Sequence, residues 1–243
     1  RGAVAIEVEA AVVLPDDTVR VTRRWRDTSI EQDFRLVADG LEIRTSVDWH
    51  AQDCLLRLEC DLDVLAPSTS AETMYGFVQR PTATNTSWEQ AKFETCAHRW
   101  VHAAEPGYGI TVLTPTTYGH QVTRQQREGG GIYTRIGCSL LRSAAFPDPR
   151  RDSGRHEFVH VVAPGTDIAD AVRLADEQSF GIRAVLGAGP VAPAVEVTGD
   201  SVALEALKLA EDGSGDVIVR VREVRGTASP ASVRLGVAAS AVE

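Results

Sequence analysis

The run His156-Glu157-Phe158-Val159-His160 sets two imidazoles four residues apart with a carboxylate beside the first. On a helix this H-E-x-x-H spacing brings both rings to one face, where they hold zinc while the glutamate activates water for peptide hydrolysis. The flanks argue against a helix. Pro147, Pro149 and Gly154 bound the run upstream, Pro164 bounds it downstream, and Val159, Val161 and Val162 enrich it in β-branched residues, so the pattern predicts a strand. In a strand rising about 3.3 Å per residue the two rings stand about 13 Å apart, too far to share an ion whose ligand nitrogens lie at about 2 Å. The expectation is two strand histidines and no metal site.

Other polar chemistry is densest between residues 76 and 120, where Arg80, Asn85, Trp88, Glu89, Glu94, His98, Arg99, Trp100, His102, Glu105 and Tyr118 fall close together. Carbohydrate sites use such a set, because aromatic faces stack on the apolar faces of sugar rings while amides, carboxylates and guanidinium groups satisfy the hydroxyls. The competing reading makes Trp88, Phe93 and Trp100 core residues, with His98 and His102 as edge or core groups. Asp48, Glu89, Glu94, Glu105, Asp148 and Glu157 are available as acids, but no spacing pairs two of them for general acid and base work, so no catalytic residue is assigned.

The elements that must position these groups alternate with period two. Val4, Ile6, Val8 and Val12 alternate with small or charged residues, as do Leu41, Ile43, Thr45, Val47 and Trp49, and Leu56, Leu58, Cys60, Leu62 and Val64. Turns rich in Gly and Pro at 104–109, 128–131 and 146–154 separate such strands, which predicts an antiparallel β-sandwich. One segment differs. Ile168, Ala171, Val172 and Ala175 recur at helical spacing, with Thr166 or Asp167 as cap and Gly181 past the end, predicting one short helix near 167–179. The stretch 187–192 resembles a linker, dividing a domain at 1–186 from a smaller β unit at 193–243. Within that unit Ala203 to Leu209 has helix-forming residues beside strand-like neighbours, and its state is left open.

Composition limits the partners. The chain has 243 residues, 43% hydrophobic and 24% charged, and a net charge of −9. That balance argues against nucleic acid or an anionic membrane, both of which call for a basic face. No apolar run reaches membrane-spanning length, and the first residues lack a signal-peptide pattern. Cys54, Cys60, Cys96 and Cys138 show neither metal-ligand nor disulfide spacing, and predict reduced, mostly buried thiols in a cytoplasmic protein.

The same residues carry a family resemblance. RPTATNTSWEQAKFETCAHRW, EPGYGITVL, TYG and SLLRSAAFPDPRRDSGRHEF occur in that order. They resemble the C-terminal region of glycoside hydrolase family 38 α-mannosidases, whose pattern is approximately RPTHxNTSWDxAxFEVxxHRW, EPGYGVxLLN, KYG and LLRSPxxPDPxADxGxHEFxYxLxPH. VDWHAQDCLLRLECDLDV upstream and KLAEDGSGDVIVRVRE downstream extend the likeness across most of the chain. Ala83 stands where the pattern has histidine, VHAAE replaces DLSE, Thr114 and Pro115 replace asparagine and aspartate, and Gly165 replaces a histidine. Those departures weaken any substrate role for the side chains at these positions.

The resemblance implies an all-β fold: the large antiparallel supersandwich shared with galactose mutarotase-like proteins, followed by a smaller β-sandwich unit. It also implies a parent enzyme that hydrolyses terminal α-mannosides with retention, using zinc and an aspartate nucleophile in an N-terminal barrel. Neither that barrel nor its metal motif is in this sequence, so the chain alone is expected to be inactive and cofactor-free, with zinc belonging to the parent's catalytic part. Its expected partners are the barrel and helical region of the same enzyme, and mannosides or glycans. The start within a strand-like segment fits a fragment of a longer protein. The alternatives are a stand-alone carbohydrate-binding or purely structural β-sandwich module, or a mutarotase-like epimerase pairing His98 with Glu157. For the functional surface the expectation is the polar passage from Gln79 to Glu89. There Arg80, Asn85, Ser87 and Trp88 would contact substrate, with Arg80 and Asn85 projecting outward while Trp88 and Phe93 anchor the end of the loop in the core.

Overall fold

The computed structural model describes residues 3–181, 184, 186, 187, 189 and 192–242. The chain opens with β1 (Val8–Val13), β2 (Val19–Trp25), β3 (Thr28–Val37) and β4 (Gly40–Trp49). β5 (Leu55–Leu62), β6 (Ser68–Thr73) and β7 (Gly76–Pro81) follow, then a short helix α1 (Ser87–Ala91). β8 (Thr95–Cys96), β9 (Trp100–Glu105), β10 (Tyr108–Leu113), β11 (Gly119–Gln126), β12 (Ile132–Arg142) and β13 (Gly154–Pro164) lead to helix α2 (Ile168–Phe180). The C-terminal strands are β14 (Val195–Thr198), β15 (Val202–Leu209), β16 (Val217–Glu223) and β17 (Ser232–Leu235).

Among the described residues, β1-β2-β3-β4-β13-β10-β9-β6-β7 form a nine-stranded sheet and β5-β12-β11-β8 a four-stranded one, and neighbouring strands run antiparallel. Alternation explains why the two sheets face each other. In β4, Ile43, Thr45, Val47 and Trp49 are buried, whereas Arg44 and Ser46 between them are exposed. Ala71, Val101, Ala103, Ile110 and Val112 of the large sheet pack with Cys60, Leu62, Ile136 and Cys138 of the small one. A second cluster joins Ile30, Val47, Trp49 and Phe158 to Leu56 and Leu141 across the same interface. The predicted antiparallel sandwich is therefore present. Removing these aliphatic and aromatic faces from water is the main force that closes it.

Contacts divide the chain into two compact units, Arg1–Asp167 and Ile168–Glu243. In the second, Ala171, Val172, Leu174 and Ala175 form the buried stripe of α2, as their spacing predicts. Gly181, at φ +54°, donates its N–H to Glu177 O at 3.3 Å and stops the helix, a role glycine fills because it tolerates the left-handed region. Residues 188, 190 and 191 of the predicted linker lie outside the described residues. β14 pairs with β17, and β15 with β16. The open segment Ala203 to Leu209 is strand. Its helix-forming residues yield to cross-strand partners, with Leu204 facing Val221, Leu207 facing Val219 and Leu209 facing Val217. No described helix is long and apolar enough to cross a membrane.

Candidate functional site

β13 contains the H-E-x-x-H run, as the flanking residues predict, and lies between β4 and β10 in the large sheet. His156 donates from Nε2 to Asp152 O at 2.9 Å, and His160 is fully buried. Among the described residues no three His, Cys, Asp or Glu side chains are grouped to hold a metal ion.

The passage after β7 builds a different kind of feature. Thr82, 1% exposed, fixes its start by donating to Ala66 O at 2.6 Å and accepting from Arg124 Nε at 2.8 Å. Beyond it, Thr86 and Glu89 close a capping box around the first turn of α1. Glu89 N donates to Thr86 Oγ1 at 3.2 Å, and Glu89 Oε2 accepts from Thr86 N at 2.9 Å and from Asn85 N at 2.7 Å. The Thr86 N–H, then that of Asn85, holds the Glu89 carboxyl below its ordinary range. Lys92 N ends the helix on Glu89 O at 3.1 Å. The turn thus holds the N–H groups of Asn85, Thr86, Glu89, Gln90 and Lys92 within itself and buries none of its helical residues.

Here the structure corrects the sequence reading. Trp88 is 80% exposed and Phe93 63%, so neither anchors the segment in the core; Thr82 and the capping box hold it instead. Trp100, also read as a core residue, is 1% exposed. Asn85 and Ser87 are exposed beside Trp88, whereas Arg80 is half-buried on edge strand β7, with Nη1 enclosed and without a hydrogen-bond partner. Asn85, Ser87 and Trp88 therefore share one exposed turn, and Arg80 shares no hydrogen bond with them.

The chain then returns to the sandwich through two ion pairs that spacing gave no means of finding. Glu94 lies 3.7 Å from Arg57 Nη2, and a Cβ on Gly119 would sit 2.2 Å from Glu94 Oε1, so a side chain there would displace this carboxylate. Glu72, its side chain 3% exposed, takes the Arg99 guanidinium as a fork at 2.9 Å (Nε to Oε2) and 2.6 Å (Nη2 to Oε1). It also accepts from Arg99 N at 2.9 Å, while its backbone oxygen accepts from His98 N at 2.9 Å. The pair staples residues 98–99 to β6. His98 is thereby held with its ring nearly parallel to Tyr118, 13° between planes and 6.3 Å between centroids. Tyr118 is 57% exposed. The EPGYG motif is packed from the other side: Gly109 O accepts from Thr166 N at 3.1 Å, and a Cβ on Gly109 would meet His102 Nε2 at 2.4 Å.

Of the remaining acids, Asp48, Glu105 and Asp148 have separate local partners. Asp48 lies 3.1 Å from His50, Glu105 accepts from Leu65 N at 3.0 Å, and Asp148 accepts from Arg150 N at 2.9 Å. Glu157 lines an open groove of about 510 Å³ with Glu9, Thr22, Arg24, Glu31 and Asp48. His98, in contrast, sits against Glu72 and Tyr118. The epimerase pairing of His98 with Glu157 is therefore not assembled, because His98 sits against Glu72 of β6 while Glu157 is on β13, with β10 and β9 between those strands. Cys54, Cys60, Cys96 and Cys138 are free thiols; Cys60 and Cys138 are buried, Cys54 is partly so, and Cys96 is exposed.

Residues 7–150 match the family described as the Glycosyl hydrolases family 38 C-terminal domain. The chain is 32% identical over 197 residues to human Alpha-mannosidase 2C1, covering 77% of this chain and 18% of that protein. It is 31% identical over 213 residues to an Alpha-mannosidase of Saccharomyces cerevisiae, covering 79% and 19%. The crystal structure of an alpha-mannosidase from Enterococcus faecalis V583 superposes with a TM-score of 0.68 at 16% identity, over 90% of this chain and 25% of that one. The chain thus spans about a fifth of the length of these curated relatives. With the family's motifs placed on one exposed edge and in one sandwich core, the chain belongs to the C-terminal domain family of the family 38 glycosyl hydrolases.

Proposed function

We propose that this chain is the non-catalytic β part of a retaining, zinc-dependent α-mannosidase, packing on the barrel and helical region of the same enzyme. In this reading the exposed turn at residues 85–93, with Tyr118, rims the site where a terminal α-mannoside is cleaved. The observation that carries it is Trp88, held 80% exposed on a turn that closes hydrogen bonds within itself, with Phe93 and Tyr118 also exposed. A rigid turn costs little entropy to dock, and an indole face is suited to stacking on a sugar ring or to burial against a second domain. A retaining mechanism needs two carboxyl groups about 5 Å apart flanking one bond, whereas Glu89, Glu94 and Glu105 on this edge are each engaged at a separate place. The described residues do not fit a zinc ion either. Metal and nucleophile are assigned to the rest of the enzyme, and this chain's contribution is shape and contact. The free thiols support a reducing compartment, the cytoplasm.

The test uses the full-length enzyme. Trp88→Ala and Asn85→Ala should each lower kcat/KM toward an aryl α-mannoside on the order of tenfold, about 1.4 kcal/mol, with an unchanged melting temperature. Arg80→Ala, at a half-buried site, should lower both. Unchanged kinetics in the first two variants would leave the edge a scaffold and favour the purely structural reading. The isolated chain should show no turnover with or without added zinc, and turnover abolished by one carboxylate substitution in this chain would sink the proposal.

A further inference from the structure

We propose that His120 and His160 form an acid-sensitive clamp on the turn that carries the chain from one sheet of the sandwich to the other, and that protonating them releases the Tyr118 edge. β10 ends at Leu113 in the large sheet and β11 begins at Gly119 in the small one, so residues 114–118 are the crossover. The turn is closed on itself by Thr114 Oγ1 donating to Thr117 O at 3.2 Å, and Thr114 and Thr117 are 0% and 4% exposed. It is gripped by one histidine from each sheet. His160, on β13, meets Thr117 Oγ1 through Nε2 at 3.3 Å, and His120, on β11, meets Tyr118 O through Nδ1 at 3.1 Å.

The second contact fixes a tautomer. A carbonyl only accepts, so His120 Nδ1 carries the proton and Nε2 is a bare lone pair. That nitrogen and His160 Nδ1 are both enclosed and without a hydrogen-bond partner. The rings are 1% and 0% exposed. Around His120 the ladder places Thr95 of β8 on one side and Cys138 of β12 on the other, and Glu94 is the carboxylate that acts on it. Around His160 the β4 neighbour is Ile43, and the titratable group acting on it is His120. Cys138 is kept neutral by burial.

Burial therefore holds both rings neutral, to about 4, against the weaker pull of Tyr118 O and Glu94 on His120. A histidine in the unfolded chain takes up its proton near 6.5. The stabilisation from these two groups is thus fully present above about pH 6.5 and is lost as pH falls toward 4, because in that window the unfolded chain binds protons that the fold refuses. A second proton on either ring leaves an N–H at an enclosed nitrogen with no acceptor, and its charge repels the other ring. Water relieves it only when the 114–118 turn lifts, and Tyr118, stacked on His98, moves with that turn. The clamp goes beyond the mannosidase reading and does not depend on it.

Urea unfolding of the isolated chain tests this. Between pH 6 and pH 5 the unfolding constant of the wild type should rise roughly fiftyfold more than that of the His120→Gln/His160→Gln double variant, about sevenfold for each histidine. Equal slopes would overturn the clamp. Should the double variant not fold, imidazole NMR of the wild type decides. The His120 and His160 resonances should stay neutral well below pH 6, with amide exchange at residues 114–118 accelerating as acid is added. Titration of both rings near 6.5 with that exchange unchanged would also overturn it.

Discussion

Strand β13 and the segment from Thr82 to Glu94 mislead in opposite directions when judged by residue type. β13 holds the combination most suggestive of catalysis, yet Phe158 is packed in the sandwich core and His160 is sealed from solvent. The later segment holds a tryptophan and a phenylalanine that type alone would bury, and both stand in water. The difference lies in backbone hydrogen bonding. A central strand needs a neighbour on each side, which β4 and β10 supply, and the pleat then turns Phe158 and His160 to the core while Glu157 faces out. The turn closes its own hydrogen bonds between Asn85 and Lys92, so nothing draws it inward. Exposed aromatics on such a self-sufficient turn are better evidence of contact with something else than a catalytic-looking motif in a sheet centre.

Substitutions along these two regions should separate them by size of effect. Phe158→Ala should cost about 4 kcal/mol in urea unfolding, the range for emptying a packed aromatic site; a loss below about 1 kcal/mol would place the core elsewhere. Glu72→Gln, which leaves the Arg99 guanidinium buried opposite a neutral amide, should cost about 3 kcal/mol, and a near-neutral result would mean that this pair does not staple residues 98–99. Thr86→Ala removes one half of the capping box and should cost about 1 kcal/mol, expressed locally as faster exchange of the Glu89 amide. Global destabilisation of the sandwich by that change would contradict the self-sufficiency of the turn. Smallest is Trp88→Ala, expected within about 0.5 kcal/mol of wild type in the isolated chain, and a larger loss would show that the indole is packed after all.

Much of the sandwich was legible from alternation. Ile43, Val47 and Trp49, and Leu56, Cys60, Leu62 and Val64, are buried as period two requires. α2 was legible as well, because its four apolar residues repeat at helical spacing. Pairings across long sequence separations were not. Glu72 meets Arg99 over 27 residues and Thr117 meets His160 over 43, and no local pattern encodes such distances. Ala203 to Leu209 was undecidable because local propensity and cross-strand pairing oppose each other there, and pairing wins only once β16 is in place. At the candidate edge the motif identified the segment, but exposure reversed the expected roles of Trp88 and Phe93.

The distribution of thiols has a practical use. Burial pushes the Cys60 thiol up to about 12 and that of Cys138 well above its ordinary value, so neither offers thiolate to an alkylating dye at neutral pH. Cys54 is partly covered, with its sulfur turned toward Gln52 O at 3.0 Å. Cys96 is exposed, two residues before His98. The native sequence thus carries its own attachment point on the candidate edge. A maleimide fluorophore placed there without any substitution would report, through its lifetime and anisotropy, when a glycan or a catalytic domain arrives beside it.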